Sequence, residues 1–220
     1  MLIAPARRAA IRAFSLLELI AVMAVIVIVA ALVMPSVQGL AGSSNLKGSA
    51  NSLVAQLDLA RQTASTRNRN VAVRLYQDTT KSPDTNGNQP YRLLALVIPA
   101  PADGSTSDEF ITAPQGLPGD VIIDSSTAFS TLLNTGLGAT GLRPVAATEA
   151  ASAPASVRNL PYVQFTFLAN GTVNLDSSQQ WCLTLINENK ALKNPTSGPA
   201  ANYVTLSISP QTSHVSTYQP

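Results

Sequence analysis

The longest apolar run of the chain lies near its start, where residues 14–34 read FSLLELIAVMAVIVIVAALVM. Ser15 and Glu18 are the polar residues within it. As an α-helix this run would be about 31 Å long at about 1.5 Å per residue, which is enough to cross the hydrocarbon core of a bilayer. The pattern therefore predicts a transmembrane helix over residues 14–34.

Basic residues flank only the front of this run. Arg7, Arg8 and Arg12 precede it, and the next Lys or Arg along the chain is Lys47. The positive-inside rule then predicts that the start of the chain lies in the cytoplasm and the remainder on the other side of the membrane.

Three simpler interpretations of this segment leave something unexplained. A secretory signal peptide would have an apolar region of about 7–15 residues and a small-x-small cleavage site, and Pro35-Ser36 does not provide one. A buried helix of a soluble protein does not account for the flanking arginines. A plain membrane anchor explains everything except Glu18, because a carboxylate one turn into a membrane helix costs on the order of a few kcal/mol.

The Arg-rich start, the sequence A-FSLLEL and the unbroken apolar helix together resemble the N-terminal signal of type IV pilins and of type II secretion pseudopilins. The resemblance implies that residues 1–13 are a leader, and that a prepilin peptidase cuts between Ala13 and Phe14 and methylates the new amine of Phe14. Ala13 stands where the family usually has glycine. Pro35 falls where the helices of the family commonly carry a proline.

Glu18 matches the family's glutamate, four residues after the new N-terminus. Cleavage would place a positive amine on Phe14 at the edge of an apolar layer, where an unpaired carboxylate is also unfavourable. Pairing of the two groups between neighbouring subunits would remove both penalties, so Glu18 is predicted to set the register of assembly. The alternative is that the Glu18 side chain only reaches the cytoplasmic headgroups.

Beyond the apolar run, residues 35–67 are predicted to form an amphipathic continuation of the helix. Pro35, Gly39 and Gly42 predict a kink or local loosening, after which regular helix is expected from about residue 45 to 67. The apolar positions then recur at spacings of three and four and are predicted to pack against a sheet: Leu46, Ala50, Leu53, Leu57, Ala60 and Ala64.

Residues 68–220 are predicted to be a β-rich head, which makes the fold α+β, with a long helix packed on an antiparallel sheet as in pilins. Residues 99–120 are expected to be an irregular loop and residues 134–160 a variable surface insertion. The segments with alternating or β-branched character predict the following strands: Val71–Tyr76, Tyr91–Ile98, Val121–Ile123, Tyr162–Leu168, Thr172–Leu175, Trp181–Asn187, Tyr203–Ser209 and Val215–Tyr218.

Two stretches, one at the junction of helix and head and one within the head, resemble a narrower group. Residues 57–76, LDLARQTASTRNRNVAVRLY, and the later QFTFLANGTV are similar to segments of minor pseudopilin H and of FimT-like pilins. The resemblance implies a minor subunit, and the Verru_Chthon cassette group of pilin-like proteins is one candidate subgroup. The arginines in the first stretch, at 61, 67, 69 and 74, are interpreted as solvated charges near a helix end, with an anion or DNA patch as the alternative.

Composition and charge narrow the function further. Removing the three leader arginines from 14 basic residues leaves 11, against 12 acidic residues, so the mature chain is close to neutral. Overall charge therefore gives no footprint for nucleic acid. Cys182 and His214 are the only residues of their types, and they suggest neither a disulfide nor a catalytic pair.

A loop over residues 77–90 is predicted to join the first two strands. Asp84, Asn86 and Asn88 alternate around Gly87 there, which is a faint resemblance to a calcium loop. The pattern lacks the later bidentate Glu, so a hairpin loop without metal is expected. No cofactor and no catalytic residue is predicted anywhere in the chain.

The sequence therefore predicts a non-enzymatic structural subunit, a minor pilin or pseudopilin, held in the inner membrane with its head outside the cytoplasm before it enters a fibre. Its expected partners are a prepilin peptidase, sister pilins and membrane lipid, and nucleic acid is not expected. Two alternatives stay open: a binding module at a pilus tip, serving adhesion or DNA uptake, and a membrane-anchored head that does not assemble.

Overall fold

The structure is a computed structural model. The chain divides into two compact units, residues 1–41 and 42–220. At residues 32–41 and 140–143 the structure describes the backbone and not the side chains. The residues described are 15–80, 89–101, 107–133, 140–143, 153–188 and 202–219.

The helix α1 (Leu16–Arg67) is 52 residues long. Its bounds include Pro35, Gly39 and Gly42, and the kink expected there stays a prediction. Among the residues that the structure describes, no helix has a stretch both long enough and apolar enough to cross a membrane.

The later part of α1 has the buried stripe that its sequence predicts. Leu46, Ala50, Leu53, Leu57, Ala60 and Ala64 are all at most 2% exposed. They pack into one core with apolar side chains of the sheet. Every position predicted for the stripe is thus buried, and this burial is what holds this part of the helix on the sheet.

The end of α1 is fixed by the backbone. Asn68 adopts a left-handed conformation with φ of 48°. The Arg69 N–H then donates to the carbonyl of Ala64 at 3.2 Å. This six-residue closure is the hydrogen bond of a Schellman motif, and asparagine is one of the residues that tolerate the left-handed position. The predicted end of the helix at residue 67 is confirmed.

The described residues of the head form a ten-stranded sheet whose pairs are all antiparallel. The main path runs β10-β9-β8-β5-β2-β1-β7-β6. A short 3₁₀ helix covers Thr131–Leu133. The strands are β1 (Val71–Gln77), β2 (Tyr91–Ile98), β3 (Glu109–Phe110), β4 (Gln115–Gly116), β5 (Val121–Ile123), β6 (Thr140–Arg143), β7 (Tyr162–Phe167), β8 (Trp181–Asn187), β9 (Tyr203–Ile208) and β10 (Val215–Tyr218).

The segment at 99–120 is more regular than its composition predicts. It contains β3 and β4, which pair with successive parts of the β2 edge that faces away from β1. β5 completes that edge through the pair Tyr91↔Ile123. The expectation of an irregular loop was therefore wrong for β3 and β4, because an unpaired β2 edge recruits short strands that have no alternating pattern of their own.

A second expectation was wrong after the turn at residues 169–171. The predicted strand Thr172–Leu175 is reduced to one bridge between Phe167 and Val173. The Leu168 N–H donates to the Thr172 carbonyl at 2.8 Å and the Asn174 N–H to the Thr166 carbonyl at 3.0 Å, so the pairing ends at Asn174. The Val173 N–H points the other way and donates to the carbonyl of Pro210 at 2.9 Å.

The two faces of β1 are both covered, and for this reason its residues 71–76 are all buried. Val71, Val73 and Leu75 face the core under α1. Tyr76 belongs to a smaller cluster on the opposite face, which also contains Val157 and Tyr162. Val157 is 0% exposed, so the expectation that 134–160 is only a surface insertion was wrong for this part of it.

Candidate functional site

The first turn of α1 is capped by Ser15. Its Oγ accepts a hydrogen bond from the Glu18 N–H at 3.2 Å, and its carbonyl accepts from the same N–H at 3.1 Å. Ser15 is thus the N-cap residue and Glu18 occupies the third helical position, as in the S-x-x-E capping pattern. This cap was not anticipated, although the spacing of Ser15 and Glu18 could have indicated it.

The Glu18 side chain is exposed. Within the described part of the chain, its carboxylate has neither an ion pair nor a hydrogen bond. The positive end of the helix dipole favours a carboxylate in the first turn, but this accounts for only a modest stabilisation of about 0.3–1 kcal/mol. The cap therefore satisfies the backbone at Glu18 and leaves its charge open to an external partner.

The surroundings of Glu18 are apolar and exposed. Eleven large apolar side chains from Leu16 to Val29 are between 50% and 79% exposed. Ala13 and Phe14, the predicted cleavage residues, lie outside the described part of the chain. Pro35 lies within the bounds of α1, and its side chain is also outside the description, so these residues keep their predicted roles as predictions.

Arg74 is the most enclosed charge among the described residues of the head. It lies on β1, on the face opposite α1, and is 3% exposed. Its Nη2 donates to Asp108 Oδ2 at 2.6 Å and its Nε donates to Gln164 Oε1 at 3.0 Å. The guanidinium also lies 4.7 Å from the ring centroid of Tyr162. This arrangement satisfies a buried cation from three directions.

Asp108 ties this group to the chain after β2. Its second oxygen, Oδ1, accepts the Ala100 N–H at 2.8 Å. Burial alone would lower the pKa of Arg74, but electrostatic interaction with Tyr162 and Asp108 and the hydrogen bond to Asp108 outweigh it and raise the pKa above its ordinary value. Arg74 is therefore a permanent cation, and Asp108 is its buried counter-ion.

The next residue, Glu109, forms ion pairs with two other arginines. Glu109 lies 2.7 Å from Arg67 and 3.5 Å from Arg69, and these side chains are about half exposed. The interpretation of all four arginines as solvated charges is thus wrong for Arg74, which is buried. It is incomplete for Arg67 and Arg69, which share one carboxylate. This pairing was missed because nothing local in the sequence marks Asp108 and Glu109 as partners.

The remaining candidates that the structure describes are Cys182 and His214. Cys182 is partly buried, and its Sγ lies 3.4 Å from Thr131 Oγ1. His214 is exposed in a turn. Asp84, Asn86 and Asn88 lie outside the described residues. In the part of the chain that is described, no group of three or more His, Cys, Asp or Glu could hold a metal ion.

No protein-family model matches this chain, and no curated protein matches its sequence. Two crystal structures of the type IV minor pilin FimU of Pseudomonas aeruginosa (strain PAO1) are similar to it in structure. The form in space group P21 is 16% identical, with a TM-score of 0.42 over 80% of this chain and 93% of that chain. The form in P65 is also 16% identical, with a TM-score of 0.40 over 80% and 97%. Similarity at this level leaves the function to be argued from the chain's own residues.

Proposed function

We propose that this chain is a structural subunit, a minor pilin or pseudopilin, of a type IV pilus-like or type II secretion fibre. The observation that carries the proposal is the contrast along α1. From Leu16 to Val29 its large apolar side chains are exposed, whereas from Leu46 to Ala64 its apolar stripe is buried in the head. A helix that is apolar on all sides needs lipid or other helices around it.

Both environments have a place in the proposed function. Before assembly the apolar segment lies in the inner membrane, with the leader in the cytoplasm and the head on the other side. After assembly the same segments of neighbouring subunits surround one another. The chain itself performs no chemistry, and the enzyme that acts on it is a prepilin peptidase.

Glu18 links processing to assembly in this proposal. Cleavage between Ala13 and Phe14 releases a positive amine close to the apolar segment, and Glu18 of a neighbouring subunit pairs with it. The exposed carboxylate, with its backbone N–H already satisfied by Ser15, supports this role. The pairing would then select one register for each added subunit.

The processing step gives a direct prediction. Intact-mass measurement and N-terminal sequencing of the chain purified from cells with a working prepilin peptidase should find N-methylated Phe14 as the first residue. Ala13→Gly should be processed at least as completely, because glycine is the usual residue of the family. Ala13→Leu should accumulate uncleaved chain, because a large side chain replaces the small one. A wild-type chain that still begins at Met1 in these cells would refute the leader assignment.

DNA binding is the alternative that the arginines raised. Arg67 and Arg69 share Glu109, and Arg74 is buried against Asp108, so of the four arginines only Arg61 is without an ion pair among the described residues. The full-length chain in mild detergent is expected to leave double-stranded DNA unretarded in a gel shift at physiological salt. Retardation that disappears in an Arg67→Ala, Arg69→Ala double variant would instead favour a DNA-uptake role.

A further inference from the structure

An open depression of about 390 Å³ lies at one end of the head, between the last turns of α1 and two turns of the sheet. We call it the Arg61 depression. Five of the residues around it carry side-chain hydrogen-bond donors, and none is acidic. Its lining consists of Arg61, Gln62, Ser65, Thr66, Gly171 and Thr212.

Arg61 differs from the other described arginines of the head. Arg67, Arg69, Arg74 and Arg92 each have a carboxylate within ion-pair distance, and Arg158 donates to the Ala153 carbonyl at 3.4 Å. Arg61 is partly buried, and among the described residues it has neither an ion pair nor a hydrogen bond. A guanidinium that has lost part of its hydration is best satisfied by an oxyanion, and its planar fork matches a carboxylate.

The wall opposite Arg61 is fixed by its own hydrogen bonds. The Ser213 Oγ donates to the Gly171 carbonyl, and the Ser213 N–H donates to Ser209 at 2.8 Å. Ser213 is fully buried. It has a left-handed φ of 56°, and Gly171 has a φ of 86°. The first bond joins the two turns and the second closes the turn at residues 209–213, so this wall is held in place without a ligand and loses little entropy on binding.

The surface of the head indicates what kind of contact it makes. Among its described residues, only Leu59 and Tyr218 are large apolar side chains that are exposed, at 38% and 61%. The mature chain is also close to neutral, with 11 basic and 12 acidic residues. Contacts between heads must then rely on local polar pairs rather than on an apolar patch or on overall charge.

We propose that the Arg61 depression binds a carboxylate side chain of a neighbouring subunit in the fibre. The proposal rests on the proposed function, since it requires that the chain enters a fibre. Arg61 supplies the charge and the bidentate geometry. The hydroxyls of Ser65, Thr66 and Thr212 supply further donors. The depression thus acts as a contact point between heads, separate from the apolar part of α1.

The test measures how much of the chain enters the sheared fibre fraction of cells that carry the assembly system. Arg61→Gln removes the charge, and Arg61→Lys keeps it but removes the fork. Thr212→Glu leaves Arg61 in place and adds an acid inside the depression that competes for it. Lys47→Gln is the matched control, because Lys47 is an exposed cation on the same helix that does not line the depression.

Wild-type chain and Lys47→Gln are expected at equal levels in the fibre. Arg61→Gln and Thr212→Glu are expected at least about tenfold lower, because loss of one partner from a desolvated charge pair weakens association by that much or more. The fibre level of Arg61→Lys should lie between those of the wild-type chain and Arg61→Gln. Thermal unfolding of each variant checks that the head is intact.

Entry of Arg61→Gln at the wild-type level would overturn the proposal and leave the fibre role standing. Loss with Arg61→Gln but not with Thr212→Glu would also overturn it, because Arg61 would then act only within its own head. If Arg61→Gln fails to fold, Thr212→Glu alone decides. Absence of the wild-type chain from the fibre would overturn the proposed function itself, and this proposal with it.

Discussion

Replacing Asp108 by Ala is expected to lower the free energy of unfolding of the head by about 3–5 kcal/mol, the usual cost of removing one partner from a buried ion pair. Arg74 and Asp108 lie 2.6 Å apart with side chains 4% and 5% exposed. A guanidinium stays protonated at neutral pH, so Arg74 cannot escape the penalty by losing its proton. Gln164 and Tyr162 would remain as partial compensation.

Denaturant unfolding of the purified full-length chain in mild detergent would measure this loss. Trp181 is the only tryptophan of the chain and is 0% exposed, so its fluorescence reports on the core under α1. Its indole N–H donates to the Asp176 carbonyl at 2.7 Å, which fixes the ring in the folded state. Both the midpoint and the slope of the transition should be compared, because a changed slope would indicate a change in the unfolded ensemble.

Glu109→Ala is the matched control, because it removes the adjacent carboxylate. Glu109 pairs with Arg67 and Arg69, and these side chains are about half exposed. Water can replace Glu109 there, so a loss of at most about 1 kcal/mol is expected. Equal losses for the two variants would contradict the assignment of Asp108 as a buried counter-ion.

A double variant separates the charge from the packing. Arg74→Met combined with Asp108→Ala removes both ions and keeps a long apolar stem on β1. It should be more stable than Asp108→Ala alone, because no unpaired charge stays buried. A double variant as unstable as the single one would mean that the lost contacts of Asp108, among them the bond to the Ala100 N–H, are the cause.

Those parts of the fold that have a local periodic signal were predictable. The stripe from Leu46 to Ala64 repeats at helical spacing, and all of its six residues are buried. The strand at Tyr91–Ile98 has the bounds that its sequence predicts. Each of these elements contains enough apolar positions in one period to identify both its type and its buried face.

The parts that were missed depend on distant partners. β3 and β4 are two residues long, too short for any alternation to appear, and exist because they complete the edge of β2. Asp108 lies 34 residues from Arg74, and Glu109 lies 42 residues from Arg67. No local pattern encodes such a pairing. The pairing nevertheless decides which arginines of the 57–76 segment remain available to an external anion.

The start of α1 shows the reverse case, in which the sequence indicates more about the role of a residue than the described structure does. Ser15 caps the first turn, and this explains the backbone at Glu18. It does not explain why a carboxylate stands among exposed apolar side chains. The alternatives for Glu18 are therefore a contact with headgroups, a modest helix-end stabilisation and a pairing between subunits, and they differ in what happens when the charge is removed.

Glu18→Ala is expected to leave the unfolding of the head unchanged and to reduce the chain in the sheared fibre fraction by more than about tenfold. The head has its own core, and Glu18 belongs to the other compact unit of the chain, residues 1–41. Assembly would leave the new amine of Phe14 without its counter-charge in an apolar layer, and each ~1.4 kcal/mol of that penalty is a factor of ten.

Two further variants separate charge from helix capping. Glu18→Gln keeps the shape of the side chain and removes its charge, so it should fail as Glu18→Ala does if pairing with the amine is what matters. Ser15→Ala removes the hydroxyl that accepts the Glu18 N–H and costs the helix about 1 kcal/mol, but it keeps the carboxylate, so it should still enter the fibre. Wild-type incorporation of Glu18→Ala would rule out the assembly role. Failure of Ser15→Ala together with success of Glu18→Gln would assign this site to the start of the helix rather than to the contact between subunits.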